Sequence, residues 1–334
     1  MGTASEPGAP SLGTASLAES VELAVVDRSG FVESRHAGSA VVLSPAGEVV
    51  ASFGAPERPV YPRSSLKPFQ ALTVLESGVE LDPLQSAMAM ASHTATPAHL
   101  AVVRSMLDLG GLTPDALGCP ADWPADSATR TEVIRSGGRP ERLFMTCSGK
   151  HAAMLLACAA NGWNTADYLE PAHPLQQRIL ATVERLTGEP VVHTGVDGCG
   201  TPVHAMSLIA LARGYNRVRL ADEGPARRLV DGALANGWVV EGPGRPNSIV
   251  IDRLGVLAKF GADGVMVLVA PDGTTVTLKM LDGSLRPATL VALTLLARHS
   301  ALDAAAVAEV VSELDLTVWG RGEPVGAVTV SPSL

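Results

Sequence analysis

The chain has 334 residues, 46% of them apolar and 18% charged, with a formal net charge of −9. That length and apolar content suit one large globular unit or two intimately packed ones, and they exclude a disordered or fibrous chain. An acidic chain without a lysine- or arginine-rich stripe argues against nucleic acid and anionic membrane as partners.

The first twenty residues are small and polar, with neither the charged nor the apolar region of a signal peptide. They read as a flexible tail, residues 1–20, and the expected compartment is the cytoplasm. No stretch approaches the roughly 18 apolar residues of a membrane span. Residues 21–54 hold short apolar runs divided at Arg28-Ser29-Gly30 and at Ser44-Pro45-Ala46-Gly47, the pattern of hairpins. Residues 66–78 carry Leu66, Phe69, Leu72 and Leu75 at helical spacing before Gly78. Pro97 opens another helix, with Leu100, Val103, Met106 and Leu107 as its apolar stripe and Gly110-Gly111 as its end. Further helices are expected over residues 150–161, 173–186, 203–214 and 225–236. Residues 264–280 form the clearest hairpin, turning at Pro271-Asp272-Gly273. Helices at 289–300 and 303–314 and a short strand at 324–331 complete the chain.

Strands at both ends with helices between them predict an α+β fold. The terminal strands share one antiparallel sheet, helices pack against it, and a mostly helical middle, residues 64–240, sits alongside. Residues 21–334 then form a single unit with a site in the cleft between sheet and helices.

Five short segments carry candidate chemistry. Ser64 and Lys67 lie three apart at a helix start, so both side chains fall on one face. A neutral lysine there can take the serine proton during attack on a carbonyl, because serine is a poor nucleophile unaided. Alone, the same spacing suits a helix cap and an exposed lysine. Cys147 and Cys199 are the two of the four cysteines that lie beside glycine turns, in Cys147-Ser148-Gly149-Lys150 and Asp197-Gly198-Cys199-Gly200. Two thiolates and a third donor suit Zn²⁺, while buried thiols are the plain alternative. Ser92-His93 ends an apolar run, where a cap is common. Lys259 sits inside an apolar run, where a side chain snorkelling at the core edge is the ordinary reading.

Taken in order, the blocks at residues 63–72, 91–93, 147–155, 162–177, 197–202, 256–265 and 325–328 resemble the asparaginase II family, serine–lysine enzymes with a zinc site. The resemblance implies a serine β-lactamase-like fold and an L-asparaginase that hydrolyses the side-chain amide of L-asparagine in a homodimer. It implies Ser64 as nucleophile with Lys67 as its base, and Ser92 with Lys259 as a second serine–lysine pair. Cys147, Lys150 and Cys199 match the family's zinc ligands, with water completing the tetrahedron and the metal orienting substrate. Asp197 is implied as the acceptor of the substrate ammonium, and Arg63 as a positioning group. Three segments depart from the family's pattern: SHTATP at 92–97, CPADWP at 119–124 with Asp122 in place of a histidine, and Thr146 in place of an asparagine. A glutaminase or another serine acyl enzyme would share Ser64 and Lys67, but a late Lys-Thr-Gly strand motif is missing. A catalytically silent binding protein is the other alternative, disfavoured because both serine–lysine pairs are intact.

Overall fold

The computed structural model describes residues 12–334, and the expected tail at residues 1–11 lies outside them. The rest of that segment is more ordered than expected. Ser16 and Glu19 close a capping box around the 3₁₀ turn Leu17–Glu19. Glu19 also accepts the Arg58 Nε–H at 2.8 Å, which fastens the segment to the body.

The strands are β1 Val21–Arg28, β2 Phe31–Leu43, β3 Val49–Phe53, β4 Pro59–Val60, β5 His193–Val196, β6 Pro202–Ser207, β7 Leu257–Gly261, β8 Val265–Val269, β9 Thr275–Met280, β10 Thr317–Gly320 and β11 Glu323–Val330. Eight of them make one sheet in the order β10-β11-β1-β2-β9-β8-β7, with β3 also on β2. Every pairing in it is antiparallel, and β11 joins β1 in the register Ala24 to Val330. The α+β arrangement with shared terminal strands is therefore the observed one. Both turns read in the first strands form. Ser29 (φ +54°) and Gly30 (φ +82°) take the left-handed pair that a tight hairpin requires.

The helices are α1 Lys67–Glu76, α2 Pro83–Ala89, α3 Pro97–Leu109, α4 Ser127–Arg135, α5 Ser148–Asn161, α6 Pro174–Thr187, α7 Leu208–Arg219, α8 Gly224–Ala235, α9 Gly237–Val240, α10 Pro246–Leu254, α11 Ala288–Arg298 and α12 Ala304–Ser312. Helices α7 and α11 contact β8 and β9. Every residue of β8 is buried, as a strand covered on both faces must be. Helix α1 is buried from Lys67 through Leu75 and touches α5, α6 and α8. A helix apolar nearly all round belongs at the centre of such a block. Among the described residues no helix is long and apolar enough to cross a membrane.

The middle is mostly helical, as expected, and also holds a small second sheet, β4-β6-β5; one expectation there is corrected. The helix expected over residues 203–214 begins only at Leu208, because residues 202–207 are strand β6, buried throughout and paired with both neighbours. Ser207 ends that strand and caps α7, accepting the Ala210 N–H at 3.0 Å. Helices α4 and α10 and strands β5 and β10 carry too little apolar periodicity to have been read from the sequence.

Candidate active site

The serine-bearing turn is set by backbone geometry. Arg63 takes a left-handed φ of +51°, and residues Arg63–Leu66 form a 3₁₀ turn that runs into α1. Tyr215 donates its hydroxyl to the Ser65 carbonyl at 2.6 Å. Gly261 of β7 lies against the turn: a Cβ there would stand 2.1 Å from the Pro62 carbonyl oxygen. Ser64 is half-buried, and its side chain forms no hydrogen bond among the described residues. Lys67 lies on the expected face but makes no hydrogen bond to Ser64, because its side chain reaches past the turn to Ala91 and Ser92.

Lys67 instead reaches Ser92. Its Nζ lies 2.8 Å from Ser92 Oγ and 2.6 Å from the Ala91 carbonyl oxygen. Lys259 arrives from β7 at the same hydroxyl, 2.9 Å away, and donates to the Phe260 carbonyl at 3.0 Å. Both lysines and Ser92 are buried. Lys259 is thus no snorkelling surface residue, and Ser92 is no simple cap. Burial pushes Lys259 well below the usual lysine range, and the adjacent Lys67 adds to the effect. The missing Lys-Thr-Gly motif loses its discriminating value here. Late strand β7 carries Lys259 and Gly261, one on the Ser92 hydroxyl and the other against the serine turn.

Ser92 is fixed by its neighbours. Its N–H donates to the Val240 carbonyl at 2.8 Å, and the Thr94 N–H donates to the Glu241 carbonyl at 2.9 Å. His93 points inward, with Nε2 at 2.9 Å from Ser148 Oγ at the start of α5. Burial holds His93 well below the usual histidine range. The SHTATP departure therefore leaves a fully connected segment.

The thiols form a second buried group. Lys150 Nζ lies 3.0 Å from Cys199 Sγ and 2.9 Å from Thr201 Oγ1. The neighbouring Cys147 and Lys150 draw Cys199 far down, while Cys199 and burial push Cys147 up. The pair thus holds one thiolate beside the lysine. Next to it, His151 is held through Nδ1 by the Tyr168 hydroxyl at 2.6 Å, and its buried Nε2 faces Cys199 without a hydrogen bond. Among the described residues no three His, Cys, Asp or Glu side chains converge on one ion. A metal here would therefore need Lys150 as its third protein ligand. Two sulfurs are donors of the kind Zn²⁺ takes, whereas Lys150, held above the usual lysine range against burial by Cys199 and Cys147, must lose its proton before its amine can join them.

Arg63 and Asp197 meet directly. Arg63 Nε donates to Asp197 Oδ1 at 2.7 Å, and its other arm pairs with Asp263 in the turn after β7. Asp197 also accepts the Gly198 N–H at 2.9 Å. One guanidinium thus ties the serine turn, the Cys199 turn and the β7–β8 hairpin together. A cavity of about 300 Å³ opens beside this arginine, lined by Tyr61, His193, Asp263 and Lys279 among others. Asp122 does not belong to the site: it is exposed and bridges Glu141 through the backbone.

Sequence reasoning missed His151 and Thr201, which stand beside the thiol pair. One signal was available. The chain has 25 lysines and arginines, and only four are lysines: Lys67, Lys150, Lys259 and Lys279. Arginine does the surface work, so a lysine marks a position that needs an amine able to lose its proton.

Two buried lysines thus converge on the Ser92 hydroxyl, and the chain is an amidohydrolase by family. Residues 24–330 match the family model described as L-asparaginase II, and the protein belongs to that family. No curated protein matches the chain. Among solved structures, a β-lactamase from Mycobacterium bovis aligns at 16% identity and a TM-score of 0.43, covering 78% of this chain and 94% of that one. A protein described as Mglu, in its glutamate form, aligns at 13% identity and a TM-score of 0.37, covering 79% of this chain and 61% of that one. The native form of Mglu aligns at 14% identity and a TM-score of 0.36, over 79% and 64% of the respective chains.

Proposed function

We propose that the protein hydrolyses L-asparagine to L-aspartate and ammonia through a serine acyl-enzyme. The observation that carries this reading is the single Ser92 hydroxyl held by two buried lysines, with half-buried Ser64 one turn before Lys67. Exposure divides the two serines. Ser64 is open to a substrate and free of hydrogen bonds, so it is the nucleophile. Ser92 is enclosed, so it passes protons.

The relay balances. Ser64 bonds to the amide carbon and gives its proton to Lys67, Lys67 gives one to Ser92, and Ser92 gives its own to Lys259. That one proton, returning through Ser92 and Lys67, reaches the amide nitrogen as its bond to carbon breaks and ammonia leaves. Water then attacks the ester, the relay runs again, and aspartate is released. Asp197 is the acceptor of the substrate ammonium, and Arg63 holds it in place. Zn²⁺ bound by Cys147, Lys150 and Cys199, its charge neutralised by the two thiolates, would help to orient the substrate.

The test is ammonia release from L-asparagine and, separately, L-glutamine, with Ser64→Ala and Ser92→Ala beside the wild type. An acyl-enzyme trapped on the Ser92→Ala variant and absent from Ser64→Ala fits the assignment. Acylation of Ser64→Ala would move the nucleophile to Ser92. No ammonia from either amide would remove the reading altogether.

A further inference from the structure

The cavity of about 300 Å³ beside Arg63 is lined by none of Ser64, Lys67, Ser92 and Lys259. It opens where the two sheets meet. Pro59 and Val60 of β4, His193 of β5 and Ala205 of β6 come from the small sheet, and Lys279 of β9 comes from the large one. A space of this size takes a small organic molecule, and such sites are mostly apolar with a few placed polar groups. Pro59, Val60, Ala205 and the Tyr61 ring supply the apolar part. The ring is held in the wall: its hydroxyl is hydrogen-bonded to His193 Nδ1, and a Cβ at Gly195 would stand 2.6 Å from that hydroxyl.

The charges in the lining do not balance. Arg63 and Lys279 are cations, and Asp263 is the one carboxylate beside them. Asp263 is paired with Arg63, whose Nε also holds Asp197. The other carboxylate that bears on Lys279 is Asp282, and its Oδ2 lies 2.6 Å from His36 Nδ1. Lys279 itself stands outside the ion pairs of the described residues. A lysine ammonium has three hydrogens to donate. Among the described residues only the Met280 carbonyl takes one of them. A half-buried ammonium in a largely apolar wall, with no anion of its own, has room for one from outside.

We propose that this cavity is a binding site for a small organic carboxylate, separate from the serine–lysine cluster. The carboxylate sits on the Lys279 ammonium, and the carbon skeleton lies against Tyr61, Pro59 and Val60. That chemistry is the complement of the lining: carboxylate oxygens accept the amine hydrogens left over, and apolar carbon meets apolar wall. An amino acid and a plain organic acid share this head group. The site also lies against Arg63, the residue before Ser64, so a bound acid touches the side chain that ties the serine turn to Asp197.

The chain's four lysines make the test direct. Protein labelled with ¹³C-lysine has four side chains to follow, and Lys279→Met assigns the one that matters. Lys279→Arg supplies the assignment if the methionine variant does not fold. Benzoate stands for the plain acid, L-aspartate for the amino acid, and benzamide keeps the shape of benzoate without its charge. At fixed ionic strength one of the acids should shift the Lys279 Cε signal along a saturating curve, with benzamide weaker by about tenfold or more. The acid that binds tighter names the source. Calorimetry should find its affinity about tenfold or more lower on Lys279→Met. A Lys279 signal that follows neither acid beyond a sodium chloride control overturns the proposal, and so does benzamide binding as tightly as the acids. Shifts at Lys67 or Lys259 with Lys279 unmoved would place the carboxylate at the serine–lysine cluster and overturn it too. Binding is read without turnover. A wild type that releases no ammonia therefore defeats the amidase reading alone, and the Lys279 signal still decides this site.

Discussion

A matched pair of glycine substitutions tests whether the serine turn is seated on β7. The Cβ of Gly261→Ala would stand 2.1 Å from the Pro62 carbonyl oxygen, just before Arg63 and Ser64. Ordinary contact begins above 3 Å, so the turn must retreat by about 1 Å, and overpacking of this kind costs roughly 1–3 kcal/mol. A nucleophile misplaced by about 1 Å loses on the order of 10²-fold in rate. Gly326→Ala meets a similar obstacle, the Asp27 carbonyl oxygen at 2.0 Å, between β11 and β1. Both variants should lose comparable stability in thermal denaturation, but only Gly261→Ala should lose about a hundredfold in kcat/KM for ammonia release from the accepted amide. Equal activity in two equally destabilised variants would refute the reasoning, since the turn would then not depend on β7 for its position.

Lys259→Met should abolish turnover by about 10³-fold or more and yet stabilise the protein at neutral pH. The folded state holds Lys259 below the ordinary value of 10.5, so the unfolded chain binds the extra proton between the two values. Stability is therefore fullest above 10.5 and declines as pH falls toward the depressed value, a slope that the methionine variant should lack in denaturant titrations against pH. Asp197→Asn should raise KM for asparagine by about tenfold or more with little change in melting temperature, because Arg63 keeps an oxygen to pair with but the substrate loses a charge. An unchanged KM would end the assignment of Asp197 to the ammonium. Elemental analysis should find zinc in the wild type and in Cys119→Ser and Cys158→Ser, and lose it in Cys147→Ser and Cys199→Ser. Equal zinc in all four variants would count against the proposed ligand set.

The sheet was legible because its strands are bounded by turn residues and its two halves lie at the ends of the chain. The strand β6 was not, because Pro202–Ser207 is apolar enough to extend the α7 pattern, and only pairing with β4 and β5 marks it as extended. Ser64, Lys67, Ser92 and Lys259 were legible as residues through family resemblance, but their partnering was not. Helical spacing joins Ser64 to Lys67, whereas the fold sends Lys67 to a hydroxyl 25 positions away. The approach of Val240 and Glu241 to the Ser92 segment was invisible for the opposite reason: each carbonyl accepts one backbone N–H from it, a pairing that no local pattern encodes.

The scarcity of lysine has a practical side. Three of the four amines are enclosed, and only Lys279 has appreciable contact with solvent. Succinimidyl esters, aldehyde crosslinkers and amine-directed polymers would find a single internal lysine to attack in the native state. Conjugates made this way would be close to uniform and would spare the buried amines of the site. The same reagents applied during unfolding would reach all four, so the extent of acylation would report how much of the population had opened.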